Sequence, residues 1–146
     1  MLRNEHTRAL GSSLLCLLGT VLGIVSYGTW AVRTFDFGVR QAVPGMDVGG
    51  EVTLALAVIL LGAGLGFLFG VDVAPRVAVV AGSVAFVYSV VRAAQLGAED
   101  IPIGHTTDVA RALWIGITAA ALTIPVALVR TRTSPLVGSA EVEPTG

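Results

Sequence analysis

The sequence predicts an all-α integral membrane protein, a four-helix bundle of transmembrane helices with antiparallel neighbours. Three observations predict it. Of 146 residues, 54% are hydrophobic and only 13% charged, about half the charged share of an average soluble domain. Four apolar runs approach or exceed the ~18 residues that read as a spanning helix. Short segments rich in Gly, Pro and charge separate them. A chain of this composition has too little polar surface to cover a soluble globule.

The first run, Leu10 to Val32, holds 23 residues without a charge. It is longer than the ~7–15 residues of a signal-peptide core, and Leu15 precedes Cys16 where a lipoprotein cleavage box needs a small residue. An uncleaved anchor is expected. The second run, Val52 to Val71, is also uncharged; Gly49 and Gly50 break the chain before it, and Glu51 suits a helix N-terminus. The third, Pro75 to Leu96, carries only Arg76 and Arg92, one near each end, and proline is tolerated in a first helical turn. The fourth, Val109 to Val129, carries only Arg111, with Thr107 or Asp108 as candidate caps and Pro125 too near its end to kink it strongly. These spans (10–32, 52–71, 75–96, 109–129) make one transmembrane domain over residues 1–132 and leave no room for a soluble domain. Residues 133–146 form a short polar tail, expected to be disordered. The connection of three residues between the second and third spans makes those spans antiparallel neighbours.

All nine basic residues are arginine. With four spans, Arg3, Arg8, Arg76, Arg130 and Arg132 lie on the side of the termini, and Arg33, Arg40, Arg92 and Arg111 on the other. That bias places both termini in the cytoplasm, with the cell membrane as the expected location. Tyr27, Trp30, Tyr88 and Trp114 fall toward the side opposite the termini and read as half of an aromatic belt.

Helices in lipid associate through close packing of small residues. In "GAGLGFLFG", Gly62, Gly66 and Gly70 recur every fourth residue. The spacing predicts a groove on one face, with Gly64 pointing elsewhere: a glycine zipper used for packing inside the chain, or alternatively as a seam between copies. The other spans carry comparable strips: Ser12, Cys16, Gly19, Gly23 and Ser26; Ala78, Gly82, Ala85 and Ser89; Ala112, Gly116, Ala119 and Thr123.

The middle of every span lacks ionisable residues, which are the default functional candidates in a membrane. Haem ligation is not expected, because His6 and His105 both lie outside the spans. A proton-coupled exporter needs an acid within a span. The arginines sit at span ends, not in a voltage-sensing stripe. Nothing places an oriented base for a Ser-His-Asp set. The net charge of −1 offers no basic patch for nucleic acid. The lone Cys16 cannot form an intramolecular disulfide. The polar cluster Glu99, Asp100, His105 and Asp108 matches no metal-ligand spacing and reads as a solvated loop, with Arg92 and Arg111 as flanking anchors. No catalytic residue, metal site or cofactor is expected. The segment with Phe35, Phe37, Val39 and Val43 reads as a loop on the membrane surface, a cover for the bundle or a partner contact. Together these readings predict a structural or accessory membrane subunit, with membrane lipid and a partner protein or second copy as its contacts. The alternative is a small transporter or oligomeric pore, including a holin-like one.

Overall fold

A computed structural model describes residues 2–35, 37–98 and 105–131. It contains α1 (Leu2–Tyr27), β1 (Thr29–Phe35), β2 (Arg40–Pro44), a short 3-10 turn (Gly45–Val48), α2 (Gly50–Leu68), α3 (Ala74–Ala98), β3 (His105–Val109) and α4 (Arg111–Thr131). The expected tail 133–146 lies outside the described residues, as do Glu99 and Asp100.

Among the described residues, four helices are long and apolar enough to cross a membrane: Arg8–Tyr27, Gly50–Leu68, Ala74–Ala98 and Arg111–Leu128. Their outward faces carry Leu10, Leu17, Ile24, Val58, Val80 and Ile115, all exposed. A soluble monomer rarely presents so much contiguous apolar surface, whereas a hydrocarbon environment requires it. Each helix packs on the next in sequence, and α4 closes the ring against α1. Neighbours run antiparallel: Gly11 lies at Phe67 and Gly23 at Ala57, while Gly28 lies at Ala112 and Gly116 at Val25. The interior is filled by Leu15, Leu22, Leu60, Ala78, Ala85 and Ala120.

Two boundaries differ from the sequence reading in a consequential way. The first helix ends at Tyr27, and the last residues of the expected first span, through Val32, belong to β1. Val109, expected to open the fourth span, ends β3, and α4 begins at Arg111 with the Leu113 amide donating to the Ala110 carbonyl. Neither Thr107 nor Asp108 is its cap; both are in the strand. The connections therefore build a second small layer. β1 pairs antiparallel with β2 on one side and β3 on the other, in the order β2-β1-β3. Strand residues such as Val32 and Thr34 suit a pleated surface, and the Gly38 turn (φ 75°) reverses the chain, with its amide donating to the Phe35 carbonyl at 2.8 Å.

The glycine groove is not where the spacing put it. Leu60, Ala63, Gly64 and Phe67 form the buried face of α2. A Cβ added at Gly64 meets Cys16 Sγ at 2.7 Å and the Cys16 nitrogen at 3.2 Å, and Ser12 Oγ donates to the Gly64 carbonyl at 2.6 Å. Gly62, about 200° away around the helix, has open space. Gly70 stops the helix: with φ 78° it occupies the left-handed position after α2. Its amide donates to Phe67 and that of Val71 to Gly66, the Schellman pattern. The large apolar neighbours Leu60 and Phe67 choose the packing face, so the fourth-residue repeat beginning at Gly62 does not. The other strips fare better: Ser12, Gly19, Ser26, Ala78, Gly82, Ala85, Ser89, Gly116, Ala119 and Thr123 are buried, with Cys16, Gly23 and Ala112 half-buried, and Gly82 abuts Thr123.

Replacing Gly64 by leucine overfills a seam that touches backbone and is expected to cost about 1–3 kcal/mol. Gly62→Leu should unfold within a degree or two of wild type, judged from the modest effect of open surface sites (about ±0.5 kcal/mol). Thermal unfolding of both variants in detergent checks this; equal losses would contradict the assigned face.

Candidate functional site: the sheet-capped end of the bundle

The end of the bundle opposite the helix start at Leu2 carries the concentration of polar contacts, built where α1 stops. The Gly28 amide donates to the Val25 carbonyl at 3.0 Å, closing the last turn. The Trp30 indole Nε1–H donates to the same carbonyl at 2.8 Å, filling the acceptor's second lone pair. Trp30 is also the extra residue of a β-bulge. Thr29 pairs with Pro44 and Ala31 with Val43, with no β2 residue opposite Trp30. A bulge re-aims a side chain, and here two successive residues, Trp30 and Ala31, are buried at 0% exposure. Strict strand alternation does not permit that.

Three further chain segments converge on this tryptophan. The Gly45 amide donates to the Gly28 carbonyl at 2.8 Å, and the Ala110 amide to the Trp30 carbonyl at 2.8 Å. A Cβ on Gly45 would stand 2.5 Å from both the Ser26 carbonyl oxygen and Trp30 Nε1. Only a residue without a side chain fits there. Leu113, Ala93, Leu96 and Ile117 complete the apolar cluster around the ring. The starts of α2 and α4 are thereby fixed against the end of α1.

A second polar group lies between α2 and α3. Tyr88 donates its hydroxyl to the Gly49 carbonyl at 2.8 Å, and Arg92 Nε donates to the Tyr88 oxygen at 3.3 Å. The guanidinium stands 5.8 Å from the Tyr88 ring centroid, within cation–π range, and Nη1 donates to Gln95 Oε1 at 3.0 Å. Gly49 adopts φ 99°, and any Cβ there would collide with the Tyr88 hydroxyl. Arg92, expected as an anchor to loop acids or lipid, is thus held within the fold. Thr53, one turn into α2, is 1% exposed, and its Oγ1 has no hydrogen-bond partner. Threonine in a helix ordinarily donates to the carbonyl four residues back. Here that carbonyl is Gly49's, already taken by Tyr88 and by the Val52 amide at 3.2 Å.

The expected aromatic half-belt divides. Tyr27 and Trp114 are 65% and 56% exposed and face outward, Tyr88 is half-buried, and Trp30 is core. Of the polar cluster, His105 and Asp108 are placed in β3, opposite Phe35 and Val32. No three His, Cys, Asp or Glu side chains come together among the described residues. The first loop is a hairpin over the bundle: Val43 is buried beneath it, while Phe37 at its tip is 96% exposed and Val39, Arg40 and Gln41 are open. The converging polar groups, Tyr88, Arg92 and Gln95, are occupied with one another and with Gly49. What the capped end presents outward is an apolar hairpin tip, Phe37 and Val39, beside charges of both signs: Arg40 and Arg111 with Asp47, Glu51 and Asp108.

No protein-family profile matches this chain, and neither the curated proteins nor the solved structures contain a match.

Trp30→Ala removes a fully buried side chain and is expected to cost about 3–5 kcal/mol. Thr53→Val replaces an unpartnered buried hydroxyl by a methyl and should gain about 1 kcal/mol. Chemical or thermal unfolding in detergent measures both; a destabilised Thr53→Val would mean that the hydroxyl has a partner.

Proposed function

We propose that this chain is a small accessory subunit of a cell membrane, non-enzymatic, whose sheet-capped end receives a partner protein outside the cell. The observation that carries the reading is the Phe37 tip. A nearly fully exposed aromatic stands on a hairpin whose base is locked into the bundle by Trp30 and Gly45. Exposed aromatics presented on a rigid base are the anchors that interfaces use. The interior supports the same reading, because leucines and alanines fill the space between the helices. A pore or transporter would need its conduit between chains, where the outward-facing Gly62 is available to a second copy. The arginine distribution supports cytoplasmic termini, which sets the sheet on the outer face.

Two measurements test this. In a Cys16→Ser background, a cysteine at exposed Gln41 should react with an impermeant thiol reagent in intact cells, and one at Ser139 should not; the reverse pattern inverts the orientation. A photo-crosslinking residue at position 37 should give one discrete protein adduct in cells, while liposomes holding the purified chain stay sealed to small solutes. Solute flux with no adduct at position 37 favours the oligomeric pore instead.

A further inference from the structure

Away from the sheet, the outer surface between α2 and α3 is indented. A trough of about 330 Å³ runs along the two helices, within the range of small-molecule sites (roughly 300–1,000 Å³). Leu56 and Ile59 form one wall, and Val77, Val80 and Val84 the other. Its floor is shallow in side chain because Ala81, buried between the helices, stands among larger neighbours. The aliphatic stem of Arg76 lines one end, with its guanidinium outside the apolar walls.

The dimensions are specific. From Arg76 to Val84 the trough extends about 12 Å along α3, at 1.5 Å per residue. A leaflet of the hydrocarbon core is about 15 Å deep, half of ~30 Å. Arg76 lies in the first turn of α3, directly after the connection from α2, so it stands at headgroup depth with the apolar trough running inward toward the midplane. No acidic side chain among the described residues pairs with it. The same end holds a second guanidinium: Arg8 Nη1 comes within 3.6 Å of a Cβ built on Gly70. Against these two cations stands the exposed Asp72.

We infer that this trough is a binding site for one anionic glycerophospholipid, with an acyl chain seated between α2 and α3 and its phosphate against Arg76. Charge complementarity and the match of trough length to one leaflet select this occupant over a peptide, whose backbone polar groups would find no partners along aliphatic walls. If the termini are cytoplasmic, the site opens to the leaflet whose surface is anionic. The inference rests on the four helices crossing a membrane.

The test is native mass spectrometry of the full chain released from detergent. Phosphatidylglycerol and phosphatidylcholine of matched chains are the lipid probes, and glycerol 3-phosphate is the headgroup control. Wild type should retain one phosphatidylglycerol in preference to phosphatidylcholine. Arg76→Gln, at an exposed position, should reduce that preference about fivefold, as expected for one cation at a lipid surface (about 1 kcal/mol). Val80→Trp, which fills the trough, should abolish retention of both lipids. Val87→Trp, equally exposed on α3 but outside the trough, should retain lipid like wild type. Equal retention of both lipids by wild type overturns the inference. So does unchanged retention in a folded Val80→Trp, or displacement by glycerol 3-phosphate alone. If Val80→Trp fails to fold, the Arg76→Gln preference decides by itself. A chain that purifies as a soluble monomer without detergent would overturn the membrane reading itself; a detergent-requiring chain without lipid selectivity overturns only the site.

Discussion

The architecture depends on the way a single tryptophan ends the first helix. An α-helix leaves its last carbonyls without partners, and in a hydrocarbon setting those groups are costly. At Val25 the problem is met by two donors, the Gly28 amide and the Trp30 indole. On the other side of β1, the Trp30 carbonyl receives the Ala110 amide, the next step of the ladder beyond Ala31 and Val109, immediately before α4. One residue thus closes α1, starts β1 and sets the entry of α4. Gly45 then passes so close to the ring and to Ser26 that the start of α2 has little freedom left. The sheet is held to the helices by this convergence, and its exposed tip inherits a fixed position.

Within the helices a different constraint operates. Apolar side chains gain little by leaving lipid for one another, so close approach of backbones decides the packing. Ser12 reaching the Gly64 carbonyl, Gly64 against Cys16, and Gly82 against Thr123 are the places where it happens. The two constraints meet at the capped end, where Tyr88 ties α3 to Gly49. That bond costs Thr53 its usual acceptor, a local conflict resolved in favour of the bond between helices.

Most of the bundle was legible in the sequence because length and uninterrupted apolarity are local properties. Four spans, the tight turn before Pro75 and the small faces of α3 and α4 follow from them. The sheet was not legible: Trp30, Ala31 and Val32 continue the apolar run of α1 across Gly28, and residues buried under a sheet look like residues buried in a membrane. The packed glycine was misread for a related reason. Gly62, Gly66 and Gly70 share a period, but which face is inside is decided by where Ala57, Gly64 and Phe67 meet Gly23, Cys16 and Gly11 on α1, a long-range matter. The capped end was invisible as a candidate site because Gly45, Trp30 and Gly49 acquire meaning only when brought together. Glu99, Asp100, His105 and Asp108, by contrast, attracted notice through residue type alone.

The central claim is that the sheet and the bundle form one cooperative unit through Trp30. Amide hydrogen exchange in lipid nanodiscs tests it directly, because local and global opening leave different signatures. The amides of Gly45 and Ala110, which bond to Gly28 and Trp30, should exchange with the same opening free energy as the Gly28 amide at the end of α1. They should lose protection together with it as denaturant is added. Fast exchange at Gly45 and Ala110 while Gly28 stays protected would show a cap that opens by itself, and would contradict the account.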